Sequence, residues 1–165
     1  FATHKEVDLY PEELAENISE VNDWIYTDIA NGSYKAGFCK SQTMYEDAFH
    51  KFFAALDRVE ALLSENKFLT GDKVTEADVR LFPPLFRLDP VYYSRFKLNA
   101  GFLWSYRSTW RWMGDMMNLP GMEPVSNKEY LQHCKQGYFG RTGNGTVPVG
   151  PLGYPESYLN PVFRG

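Results

Sequence analysis

The strongest constraint in this sequence is a helix start. Thr75-Glu76-Ala77-Asp78 sets a good N-cap residue three positions before a carboxylate. Thr75 can accept from the Asp78 N–H while the Asp78 carboxylate reaches back to the Thr75 N–H. Asp stands where Glu or Gln is usual, which suits a short return reach. Val74 and Val79 flank the cap at the spacing of a hydrophobic staple, and Gly71-Asp72 supplies a turn just upstream. The helix that follows, Glu76 to about Arg87, carries Val79, Leu81, Phe82, Leu85, Phe86 and Leu88 on most of its sides. A helix apolar nearly all round is a buried one, so the other helices are expected to pack around it. Pro83-Pro84 removes backbone donors inside it and predicts a kink near Leu81–Pro84, or a restart there. Asp89-Pro90 is expected to end it.

Upstream, Pro11 and the acidic Glu12, Glu13 and Glu16 suit a first helical turn. Leu14, Ile18, Val21, Ile25 and Ile29 recur at helical steps, and Asn31-Gly32 reads as the stop. Ser33–Cys39 then reads as an ordered loop. After Ser41, a plausible N-cap, Tyr45, Phe49, Phe52, Leu56, Val59 and Leu63 alternate steps of four and three. That stripe predicts a long helix, roughly Gln42–Ser64, antiparallel to the first. Val91–Phe102 reads as a loop with one short turn. A helix fits Leu103–Asn118, closed by Leu119-Pro120-Gly121. Asn127 can cap a last helix, Lys128–Gln136, with Gly137 at its C-terminal side. From Tyr138 to Gly165, Gly and Pro are dense and no period survives. The reading is all-α, five to seven helices: an arm over 1–10, a helical domain over 11–137 and an extended tail over 138–165.

Composition narrows the function classes. A net charge of −4 argues against nucleic-acid binding by bulk electrostatics. No apolar run approaches the roughly 20 residues of a membrane span. Two cysteines, Cys39 and Cys134, cannot make a disulfide framework and suit a soluble protein of a reducing compartment. His4, His50 and His133 share no ligand spacing, so no metal is assigned. A chain starting at Phe1 rather than Met is expected to have lost a leader, to lack upstream residues or to be part of a longer chain. FATHKEVDLY has no signal-peptide core.

TGDKVTEADVRLF, following a long amphipathic pair, resembles the signature of the helical C-terminal domain of glutathione transferases. NGSYKAGF with Gln42 and Tyr45 behind it, RLDPVYYSRFK, and KQGYF followed by TVPVGP resemble one branch, the glutathionyl-hydroquinone reductases or xi class. The resemblance implies a glutathione transferase C-terminal-like helical bundle. In that family, a thioredoxin-like domain binds glutathione and carries a nucleophilic cysteine in a Cys-Pro motif. The helical domain walls the quinone site and supplies much of the dimer contact. Family members remove glutathione from glutathionyl-hydroquinones. By local match, the two substrate-binding tyrosines fall at Tyr34 and Tyr138. The match has gaps. The thioredoxin-like domain is absent from these residues, and Cys39 (FCKS) and Cys134 (HCKQ) sit in no Cys-Pro or Cys-x-x-Cys. Gly137 stands for the pattern's His, Pro83-Pro84 for a threonine pair, and the segment before VPVGP is short.

The candidate residues divide accordingly. Tyr34 and Tyr138 are the substrate-binding candidates, with packing aromatics as the alternative among 11 tyrosines. Thr75 and Asp78 are structural. Cys39, near Lys35 and Lys40, is expected to be structural or idle rather than a reactive thiol, Cys134 is expected on a helix face, and no catalytic residue is assigned. Arg87 and Asp89 are expected to form an internal salt bridge or a carbonyl bond. Phe102, Trp104, Tyr106, Trp110 and Trp112 are expected to form a core with one exposed edge, joined by Met113, Met116 and Met117. The chain alone is expected to bind no cofactor, and to bind glutathione only when paired with a thioredoxin-like domain. Two functions follow: a non-catalytic binding or scaffold subunit with a protein partner or a second copy, favoured for these residues alone, or the helical half of a reductase.

Overall fold

A computed structural model describes residues 7–140 and 145–150. Every regular element among them is helical. Helices α1 (Ala15–Trp24) and α2 (Asn31–Phe38) join through a π-helical turn, Ile25–Ala30, without a break. Helix α3 spans Gln42–Glu65, α4 Glu76–Phe86, α5 Tyr93–Arg95, α6 Arg107–Met117 and α7 Lys128–Phe139. Helix α2 packs along α3, and α4 lies against α1, the π turn and α6. The core draws Ile25, Phe52, Leu56, Leu81, Leu85, Phe86 and Trp112 from these helices.

The start of α4 is as its sequence requires. The reciprocal capping box between Thr75 and Asp78 is present, with the Thr75 N–H donating to Asp78 at 2.9 Å. The same carboxylate, fully buried, also accepts from the Leu69 N–H at 3.0 Å and from the Trp112 indole at 2.9 Å. Burial raises the Asp78 pKa, while these donors pull it back. The arm joins this junction: the Glu76 N–H donates to the Leu9 carbonyl at 2.8 Å. Val74 packs on the core, but Val79 stays 45% exposed, so the staple does not carry Val79 inside.

Several local expectations are corrected. Asn31-Gly32 does not stop the first helix, and Ser33–Phe38 is helical. A π turn shifts the backbone bonding by one residue and leaves carbonyls to be met from elsewhere. Lys35 Nζ reaches the Thr27 carbonyl at 3.2 Å and Ser33 Oγ reaches Ala30 at 2.9 Å. Helix α4 runs through Pro83 and Pro84 with no restart. The residues four positions back, Val79 and Arg80, are exposed, so water can meet the carbonyls the prolines leave free. Asp89-Pro90 does not end the helical path either. A buried π turn, Leu88–Tyr92, leads into α5.

The helix expected from Leu103 starts at Arg107, after a 3₁₀ turn at Leu103–Ser105. Its start is fixed from outside: the Glu60 carboxylate of α3 accepts the Ser108 and Thr109 N–H groups, both at 2.8 Å. Gly137 does not close the last helix, because α7 continues to Phe139. The first two residues of the expected tail are therefore helical. Residues 145–150 have no regular element, and Lys135 Nζ holds the Val149 and Gly150 carbonyls at 3.1 Å. The remaining tail, 141–144 and 151–165, and arm residues 1–6, lie outside the described residues. Met113 and Met116 are core rather than edge; the edge is a ring stack, Tyr93 on Phe102 and Phe102 on Trp104, with centroids 4.4 and 4.1 Å apart.

Candidate functional site

Helix α2 is the segment NGSYKAGF, and its last glycine, Gly37, is there for a close approach rather than for a turn. A Cβ on Gly37 would overlap the buried ring of Phe96. That close approach sets Phe96 beneath Tyr34, with ring centroids 5.5 Å apart. Tyr92 stacks on Phe96 at 4.8 Å, four residues back on the same turn. Lys97 then takes a left-handed conformation, φ 60°, and its carbonyl accepts from the Tyr45 hydroxyl at 2.6 Å. The segment carrying Tyr92 and Phe96 is thereby tied to α3.

Helix α7 brings in Tyr138. Its hydroxyl lies 2.6 Å from that of Tyr34 and 3.4 Å from that of Tyr92. Arg95 Nε donates to the Tyr138 carbonyl at 3.2 Å, anchoring the end of α7. Three phenols from three parts of the chain thus meet at one point. Tyr34 is 39% exposed, Tyr138 half-buried and Tyr92 buried, so the cluster opens to solvent along Tyr34. Burial raises the Tyr92 and Tyr138 pKa values, so both phenols stay protonated at neutral pH. Three hydroxyls joined by two contacts engage at most two of their three O–H donors, which leaves one to donate to an oxygen brought in from outside.

The two tyrosines singled out by resemblance are therefore brought together. Tyr92 was missed as a site residue. Its signal lay in RLDPVYYSRFK, where Tyr92 and Phe96 sit one helical turn apart. Beside Tyr34, between α2 and α3, an open groove of about 670 Å³ is lined by Phe38, Cys39 and Met44, with Lys35, Asp28 and Asp47 on its walls. Cys39 is half-exposed there and bonds the Ala36 carbonyl at 3.2 Å. Cys134 faces the core on α7.

Arg87 and Asp89 do not bond each other. Arg87 Nη2 donates to the Tyr130 hydroxyl at 2.9 Å. The Asp89 carboxylate accepts the Leu103 N–H at 2.9 Å, and burial pushes its pKa up to about 7. His50 and His133 are exposed on separate helices.

Comparison with known proteins agrees with the helical fold. Residues 42–115 match the family model for the glutathione S-transferase C-terminal domain. The chain is 37% identical over 145 residues to the glutathionyl-hydroquinone reductase YqjG of Escherichia coli, covering 87% of this chain and 44% of that protein. It is 38% identical over 148 residues to the glutathionyl-hydroquinone reductase PcpF of Sphingobium chlorophenolicum, covering 87% of this chain and 46% of the relative. The crystal structure of the glutathione-S-transferase Xi from Phanerochaete chrysosporium superposes with a TM-score of 0.83 at 39% identity, over 90% of this chain and 48% of that one. The chain spans about half the length of the curated relatives it matches. Among the described residues no helix is long and apolar enough to cross a membrane.

Proposed function

Since the chain belongs to the glutathione transferase superfamily through its C-terminal helical domain, we propose that it is the helical half of a glutathionyl-hydroquinone reductase. The observation that carries this reading is the meeting of the Tyr34, Tyr92 and Tyr138 hydroxyls at an opening in the surface. Tyr34 is 39% exposed and could leave its hydroxyl in water, so its pairing with Tyr138 at 2.6 Å is more than the packing of aromatics requires. The scaffold reading has no comparable geometric support.

In this reading a thioredoxin-like half supplies glutathione binding and a cysteine thiolate. The thiolate attacks the sulfur of the glutathionyl thioether, and the carbon–sulfur bond breaks. Its electron pair passes to the ring carbon, which takes a proton and leaves as the free hydroquinone. The cysteine is left in a mixed disulfide with glutathione, and a second glutathione releases it as glutathione disulfide. The tyrosines hydrogen-bond the hydroquinone oxygens and stabilise charge developing there. The exposed apolar residues beside Tyr34, Phe38 and Met44, receive a protein partner, which we take to be that thioredoxin-like half.

The test is turnover of a glutathionyl-hydroquinone by the protein carrying both halves. Tyr34→Phe and Tyr138→Phe are each expected to lower kcat/KM by about tenfold or more, the worth of one charge-stabilising hydrogen bond. The 165-residue chain alone is expected to give no turnover. Full activity in both variants, or turnover by the chain alone that Tyr34→Phe abolishes, would overturn the proposal.

A further inference from the structure

The tyrosine cluster has a cation behind it. Tyr130, Cys134 and Tyr138 recur at steps of four along α7, so they stand on one face of that helix. Arg87, at the end of α4, meets this face. Its Nη2 donates to the Tyr130 hydroxyl at 2.9 Å, and its guanidinium lies against the buried Cys134 thiol, one turn from Tyr138. The Arg87 carbonyl accepts the Val91 and Tyr92 N–H groups, both at 3.0 Å. Arg87 is therefore tied to α7 through its side chain and to the turn carrying Tyr92 through its backbone. The Tyr92 ring in turn meets Tyr138 edge-on, with centroids 5.7 Å apart.

The charge is not neutralised locally. An arginine stays protonated when half-buried. Among the described residues no carboxylate pairs with Arg87, and Asp89 is engaged by the Leu103 N–H instead. The C-terminal end of α4 offsets only part of the charge. A cation held out of water without a counter-ion acts strongly on the groups around it, because little solvent screens it. Tyr92 and Tyr138 both feel it. Burial raises the Tyr138 pKa, and the Tyr92 hydroxyl and the Arg87 charge pull it part of the way back. Neutral phenols leave the cation uncompensated, whereas an oxyanion held by those phenols does not. We propose that Arg87 is a positioning residue of the tyrosine site: it seats Tyr92 and Tyr138 and, from behind them, makes the site prefer the oxyanion of a phenol or hydroquinone over an uncharged ring. The proposal rests on the reading of Tyr34, Tyr92 and Tyr138 as the hydroquinone site.

The experiment is binding of 4-nitrophenolate and of its uncharged isostere 4-nitroaniline to the full-length protein. Both are measured at one mildly alkaline pH, above the Asp89 pKa of about 7, so that the protein's own ionisation is fixed. The wild type is expected to bind the phenolate about tenfold more tightly than the aniline, from one charge acting at low dielectric. Arg87→Gln keeps a donor for Tyr130 but loses the charge, and is expected to remove most of that preference while still binding the aniline. Arg87→Lys is expected to retain the preference. Equal weakening of both ligands in Arg87→Gln would mark a packing role alone and overturn the proposal. Equal affinity of the wild type for the two ligands would overturn it whatever the variants do. If Arg87→Gln does not fold, loss of the preference in Arg87→Lys, which keeps the charge, overturns it. Binding of neither ligand, or binding unchanged in both Tyr34→Phe and Tyr138→Phe, would overturn the reading of the site itself and this proposal with it.

Discussion

Two carboxylates, the buried Asp89 and the half-buried Glu60, tie this fold together and differ in how proton binding affects them. Asp89 and Glu60 both accept backbone N–H groups across the chain, at Leu103 and at Ser108 and Thr109. Burial dominates at Asp89 and pushes its pKa up to about 7. At Glu60 burial also pushes upward, but the Ser108 and Thr109 donors outweigh it and hold the pKa below the usual value. The linkage signs are therefore opposite. Asp89, raised above its unfolded value near ~3.9, contributes stability that is complete below that value and is lost as pH rises toward about 7. Glu60, lowered, contributes stability present above its unfolded value near ~4.3 and lost as pH falls. Urea unfolding of the wild type, Asp89→Asn and Glu60→Gln across this range checks both. The wild-type advantage over Asp89→Asn should shrink as pH rises, and that over Glu60→Gln should shrink as pH falls. Parallel trends would contradict the assignment.

Elements were legible where their cause is local and illegible where it is tertiary. Helix α3 follows from its apolar stripe, and the start of α4 from Thr75 and Asp78. Helix α2 was hidden because Asn31-Gly32 carries a stop signal, whereas the π turn before it and the ring of Phe96 give the glycines another use. The start of α6 was hidden because its cap, Glu60, belongs to another helix. The site divides the same way: Tyr34 and Tyr138 emerged only through family resemblance, and Tyr92 only through the fold. Two substitutions test these causes. Gly37→Ala should cost about 1–3 kcal/mol, because the added methyl meets a ring that stacking and burial keep in place. An unchanged thermal midpoint would contradict it. Pro83→Ala should act oppositely. It restores a donor toward Val79 inside α4, worth about 3 kcal/mol at most, and loses up to about 1 kcal/mol of unfolded-chain restriction. A net gain of about 2 kcal/mol in denaturant unfolding is expected. The gain should be smaller for Pro84→Ala, since Pro84 is buried and its removal opens a cavity.

At the scale of the whole molecule, the distribution of apolar surface is uneven. Most large apolar side chains are inside, yet Phe38 is 60% exposed, Met44 64% and Tyr34 39%, and all three line the groove between α2 and α3. Single exposed apolar residues need no explanation, but several on one groove mark a surface that something covers. The groove is also fixed in shape. The Gly37–Phe96 contact holds α2 at one wall, and Tyr45 on Lys97 holds the start of α3 beside it. A rigid apolar face left open should find a substitute partner, most simply a second copy. The 165-residue chain is therefore expected to self-associate at micromolar concentration in sedimentation velocity. Phe38→Lys combined with Met44→Lys should return it to a monomer with its helical circular dichroism intact, since Met44 is 64% exposed and Phe38, although its ring meets Phe96 edge-on at 5.3 Å, is 60% exposed. A monodisperse wild-type monomer would count against a docking role for the groove. Association that survives the double substitution would move the contact to another face.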